Sequence, residues 1–224
     1  MGMFLRRGPA PRRTRMSDLE IGKTIKLNLN GTPWDWLVVH QGLPSAIYDA
    51  SCNGTWLLLK DCYEKRAWNN TAMNKLERST IKTYLNDEFQ NLFDDNVKSR
   101  IKQVKIPYRS GGGGGTDLSG ANGLPVNCFL LSVRETDAVA NLMPDDGAAL
   151  EYFVGTTDSK RIAKYNGSAI AWWTRSPRTG GTSAVWFIST SGHAASGGDA
   201  TQITGIRPAI ILPSDMLVTD DMLA

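Results

Sequence analysis

Histidine and cysteine are scarce in this chain of 224 residues, with two of the first (His40 and His193) and three of the second (Cys52, Cys62 and Cys128). The odd cysteine count and the lack of CxxC spacing exclude a zinc ribbon and argue against a disulfide framework. The three thiols are expected to be reduced and buried, with a Cys52–Cys62 bridge across WLLLK as the alternative. GxSxG, HExxH and GK[ST] are missing, so the sequence offers no nucleophile elbow, zincin helix or phosphate loop. There is no apolar run of about 18 residues, and no membrane span is expected. Adjacent acids do occur, at Asp94-Asp95, Asp145-Asp146 and Asp220-Asp221, and each reads as a solvated turn or helix end. A calcium ion needs about six to eight oxygen ligands, well beyond two neighbouring carboxylates. The sequence therefore predicts no catalytic residue, no metal and no cofactor.

Acid is also absent from the first fifteen residues, MGMFLRRGPAPRRTR, which hold five arginines. The net charge of +3 comes from 25 basic and 22 acidic residues; without that tail it is 20 minus 22, or −2. The basic balance thus belongs to the tail, and no nucleic-acid partner is expected for the rest. Residues 1–16 read as a basic, disordered or assembly arm, and 17–224 as one domain.

Within that domain, Ile25, Leu27 and Leu29 alternate with polar residues, and Asn30-Gly31 is a hairpin turn signal before Trp34–Val39. The run Thr55–Leu59 predicts a strand buried on both faces. Ile81, Tyr84, Leu85, Phe89, Leu92 and Phe93 recur at helical spacing across 71–104, with Ser79 or Asn74 as a cap and a second short helix after Asp94-Asp95. The stretch 109–123, RSGGGGGTDLSGANG, predicts a flexible loop, because five glycines lose much entropy on ordering. Ser132 and Glu135 form a capping-box pattern for a short helix over 133–141. Strands are expected at 126–132, 185–189 and 209–212. The order implies an α+β fold.

The last third poses a contrast. Trp172, Trp173, Arg175, Ser176 and Pro177 stand at one end, and Ile206, Arg207 and Pro208 at the other. The 27 residues 178–204 between them include 18 that are Gly, Ala, Ser or Thr, and no Lys, Glu, Leu, Met or Pro. The heavy residues Trp172, Trp173, Arg175, Trp186 and Arg207 are predicted to form a rigid frame. Each arginine is expected to clamp loop carbonyls or a carboxylate. His193 has no obvious carboxylate partner nearby in sequence.

WWTRSP, VWFI and GIRPAIILP resemble the closing signature of C-type-lectin-like domains found in gut bacteria and their phages. YDASCNGTWLLLKD, IKTYLNDEFQNLFDDNVKSRIKQVKIPY and SKRIAKYNGSAIAWW fit in the same order, so the resemblance spans Leu19 to Val218. It implies small twisted antiparallel sheets with two main helices. Some such domains are variable proteins of diversity-generating retroelements, similar to a phage major tropism determinant, in which mutated template adenines alter codons near the C-terminus. The resemblance implies a ligand-display region over 178–204. The positions it makes reachable are Arg178, Thr179, Gly180, Thr182, Ser183, Phe187, Ser189, Ser191, His193, Ala194, Ser196, Gly198, Asp199, Thr201 and Thr204. Trp186 and Gln202 lie outside that codon rule and are expected to be fixed. Asn and Tyr, which the rule also allows, are absent from the stretch. The stretch can equally be read as an ordinary small-residue loop.

The resemblance extends distantly to formylglycine-generating enzymes, but Cys128 is the last cysteine, so that activity is not carried over. The sugar-binding Glu-Pro-Asn or Gln-Pro-Asp motif is absent as well. The resemblance thus implies a non-enzymatic, phage receptor-binding protein. Its partners would be a cell-surface protein or glycan and other virion subunits in a homo-oligomer, and its place the virion, the extracellular space or the cell surface. A virion decoration protein and a bacterial surface-displayed binding protein are the alternatives.

Overall fold

The computed structural model of the protein describes residues 14–155 and 157–223. In chain order the first elements are β1 (Thr24–Leu29), β2 (Thr32–Gly42), β3 (Gly54–Leu59), β4 (Glu64–Ala67), α1 (Thr80–Asp87) and α2 (Asp95–Lys98). Five short strands follow: β5 (Val104–Ile106), β6 (Tyr108–Ser110), β7 (Thr116–Leu118), β8 (Leu124–Val126) and β9 (Cys128–Leu130). The last part holds β10 (Ala163–Tyr165), β11 (Ser168–Ile170), β12 (Trp172–Pro177), β13 (Ala184–Ile188), β14 (Ala194–Asp199), β15 (Ile203–Ile206), β16 (Pro208–Leu212) and α3 (Asp220–Leu223). The fold is α+β, with mostly small antiparallel sheets and few helices.

Two five-stranded sheets organise it, in the orders β1-β2-β3-β16-β9 and β14-β13-β12-β15-β4. β12 and β15 meet through a parallel bridge, Trp172 to Gly205, while the other ladders are antiparallel. The first sheet follows from local pattern. Ile25, Leu27 and Leu29 point into the core from β1, and Asn30-Gly31 closes the turn with both residues at positive φ. β3 and β16 lie inside this sheet and are buried at every position. Each fully buried Leu there contributes about 1.5–3 kcal/mol relative to exposure. Pro208 takes the first position of β16, where its missing N–H costs least.

Ser79 caps α1 by accepting from Lys82 N at 3.2 Å, and Ile81, Tyr84 and Leu85 form its buried face. The helical region is shorter than the periodicity implies. α1 ends at Asp87, a 3-10 turn carries Phe89, and α2 has four residues. The capping box at Ser132 and Glu135 is present in both directions, but it opens only a 3-10 turn over Arg134–Thr136, which stops where Asp137 turns left-handed.

Three further expectations need correction. The glycine run is not a loose loop: β6 and β7 pair as a hairpin, and Gly112 and Gly113 are buried at its tip. A β-carbon on Gly113 would stand 2.1 Å from the Gly181 carbonyl oxygen, so this tip is packed against the β12–β13 connection. Asp146 is fully buried rather than in a solvated turn, whereas Asp145 is exposed and paired with Arg134. The boundary of the basic arm also moves. Thr14 accepts from Val218 N, Arg15 bridges Leu217 and Met16 is fully buried, so residues 14–16 belong to the folded body. The remainder of the arm lies outside the described residues.

Candidate functional site

β12 carries the frame. Strand alternation sends Trp172 into a side cluster with Cys62, Ala163 and Ile188, and Trp173 into the main core. Trp186, on β13, packs with Val133, Ala138 and Met143. Arg175 uses all five of its N–H groups. Nε donates to the Pro107 carbonyl, Nη1 to Leu130 O and Glu135 Oε2, and Nη2 to Glu135 Oε1 and the Asp146 carbonyl. Tyr48 donates its hydroxyl to the same Glu135 at 2.7 Å. Arg207 is buried as deeply but has fewer partners: Nε donates to Leu59 O at 2.8 Å, the guanidinium sits 5.1 Å from the Trp172 ring, and Nη1 has no partner among the described residues. Burial pushes the Arg207 guanidinium down to about 10. The expectation of a clamp fits Arg175 fully and Arg207 only through one carbonyl.

The stretch 178–204 forms β13, β14 and the entry to β15, with β14 at the sheet edge. Most of its exposed groups lie toward the two ends of β13. Gly180, Thr182 and Thr201 are exposed near the start, beside half-buried Ser183 and Asp199. Ser191 and His193 are exposed at the far turn, beside half-buried Ser189. Five strand residues at about 3.3 Å each separate the sets by roughly 16 Å. The two are joined along β14 by half-buried Ala194 and Ser196 and by exposed Gly197.

Several predicted display residues are held by the scaffold. Gly198 is buried, and a β-carbon there would lie 2.6 Å from the Trp173 ring. Phe187 is half-buried, edge-on to Trp173 with ring centroids 6.0 Å apart. Thr179 gives its amide to Leu142 O, Arg178 gives its own to Ala184 O, and Thr204 donates its hydroxyl to Ala171 O. The Asp199 carboxylate is held below its usual range by Thr201, whose amide and hydroxyl both donate to it. His193 does have a carboxylate partner. Its Nδ1 lies 2.5 Å from Asp158, which also receives Arg161. This pins the β13–β14 turn to the 3-10 turn Asp158–Arg161.

Asn74 organises the other turn. Its side-chain amide donates to the carbonyls of Gly181 and Ala184, its backbone N–H donates to Thr182 O, and its Oδ1 accepts from Gly113 N. Nothing local in the sequence marks Asn74 or Asp158 for these roles, since their partners lie far along the chain. Between the two exposed sets, Ala171, Trp173, Phe187, Gln202, Ile203 and Thr204 line an open groove of about 390 Å³. Ile203, at its rim, is 72% exposed. The lining has no charged side chain, which suits a neutral ligand group.

A family model described as a domain of unknown function, DUF6273, matches residues 53–214. The chain belongs to the DUF6273 family. No curated protein matches the chain, and no solved structure does. The DUF6273 match takes in β3 to β16, and with them the arginine frame, the groove and both exposed turns. Among the described residues of this DUF6273 protein, no group of three or more His, Cys, Asp or Glu is placed to hold a metal ion. No described helix is long and apolar enough to cross a membrane.

Proposed function

We propose that this protein is a non-enzymatic ligand-binding module on a C-type-lectin-like scaffold, with the turns around β13 and β14 and the groove between them as its binding surface. One observation carries the reading. The frame residues Trp172, Trp173, Arg175, Trp186 and Arg207 are each at most 3% exposed, while the turns at the ends of β13 carry mostly small outward groups. Such a base tolerates change above it, because exposed substitutions usually stay within about ±0.5 kcal/mol. In this proposal the module is the receptor-binding part of a virion, its target is a cell-surface protein or glycan, and avidity comes from copies in a homo-oligomer.

Sequencing many copies of the gene from one population tests the proposal. Substitutions should concentrate at Thr182, Ser191, His193 and Thr201, with Trp186 and Gly198 unchanged. An even spread of changes along the chain would remove the basis for a diversified surface. Domains made multivalent by fusion to an oligomer should also stain target cells, and T182K/T201K should abolish staining without moving Tm.

A further inference from the structure

The segment 139–147 has no regular structure but is tied to the display strands from below. Leu142 O accepts from Thr179 N at 2.9 Å and from Trp186 Nε1 at 3.3 Å. Pro144 O accepts from Arg134, and Asp146 O accepts from Arg175. The Asp146 side chain is sealed in with this cluster. Its Oδ2 accepts from Ser176 Oγ at 2.6 Å, and its Oδ1 is buried with no partner among the described residues.

Charge counting makes that carboxyl unusual. The guanidinium of Arg175 spends its five donors on Glu135 and on three backbone carbonyls, and Glu135 neutralises it. Glu135 is itself saturated by Tyr48 O–H and Ser132 N–H. An ionised Asp146 would therefore be a second, uncompensated negative charge in a sealed site, which is costly. The groups around it are Arg175 and Ser176 on β12, Glu135 on the 3-10 turn, Tyr48 after β2, and Asp117 on β7. Arg175 and Ser176 favour its ionised form; Glu135 and Asp117 oppose it.

We propose that Asp146 is a proton-dependent pin: the segment 139–147 is held most tightly over the frame when Asp146 is protonated, and it loosens, together with Thr179 and Trp186, as pH rises toward neutrality. Burial, the largest influence, pushes the carboxyl from 3.8 up to about 7. A carboxyl whose closed-state value is raised holds the segment fully below about 4. That hold is lost progressively as pH rises through the window between the two values, and is level above it.

Hydrogen exchange of the full chain from pH 4.5 to 8.5, normalised to intrinsic rates, tests this. Protection of 139–147 and of the Thr179 amide should fall by roughly tenfold per pH unit inside the window and then level off near neutrality. In D146N the same amides should show no pH dependence. If that variant does not fold, S176A removes the hydroxyl that favours the ionised form, and should carry the levelling point to higher pH. Carbon-13 titration of the wild-type Asp146 carboxyl needs no variant. A carboxyl that titrates below pH 5, or protection of 139–147 that does not change with pH, would overturn the proposal.

Discussion

Arg175 and Arg207 are equally hidden, and they differ in what answers their charge. Arg175 faces Glu135 through two short bonds, so removing it leaves an ionised carboxylate with no counter-charge in a dry site. R175M should cost about 3–5 kcal/mol in urea unfolding. Arg207 has a carbonyl and the face of Trp172, and among the described residues no acid accepts from its Nη1. A buried cation without a counter-ion is a liability that an apolar chain of similar shape removes, so R207M should be near neutral or stabilising in the same assay. Equal losses in the two variants would show that the carboxylate is not what distinguishes them. At Gly198 the limit is space. A methyl group would enter the Trp173 ring, so G198A should lose about 1–3 kcal/mol, while T201A, at an exposed position, should stay within about 0.5 kcal/mol.

Among the elements, the β6–β7 hairpin has the role least expected of it. Its Gly113 carbonyl accepts from Gly180 N, and Gly112 and Gly113 at its tip have no room for a side chain. G113A should therefore displace the 178–182 turn as well as lower Tm, visible as amide shifts at Gly180 and Gly181 in nitrogen-15 spectra. Shifts confined to 108–118 would mean that the two turns are not coupled. This hairpin also marks the limit of what the sequence discloses. Features set by neighbours within about four residues were legible: the Asn30-Gly31 turn, the Ser79 cap, the Ser132–Glu135 box and the alternation in β1. Burial of all of β3 could be read from its composition. The order in the glycine run could not, because its stabilising partners, Asn74 and Gly181, are remote in sequence. The same holds for the Asp158 partner of His193 and for Asp146, whose burial depends on β12 passing over it. The frame of the candidate site was thus visible in the sequence, but the contacts that hold its turns were not.

At the scale of the molecule, a main core runs from Met16 to Met222 and takes in both the first and the last described segments. Two truncations bear on this, one of residues 1–13 and one of residues 1–16. Removing 1–16 also takes out the fully buried Met16 and its hydrogen bond to Met216 O, and should cost about 2–5 kcal/mol. Calorimetry of the two truncations separates these outcomes, and equal Tm values would show that residues 14–16 contribute nothing. The same terminal pairing has a mechanical consequence. Thr14 and Met16 lie antiparallel to Val218 and Met216, with bonds of 2.9 Å at each. Tension drawn between the two ends meets these bonds one after another, like a zip, and begins by peeling them. Tension drawn through one end against the proposed β13–β14 surface loads the sheets that lie between as well. The terminal pairing is therefore the part of this body that opens first when the two ends are drawn apart.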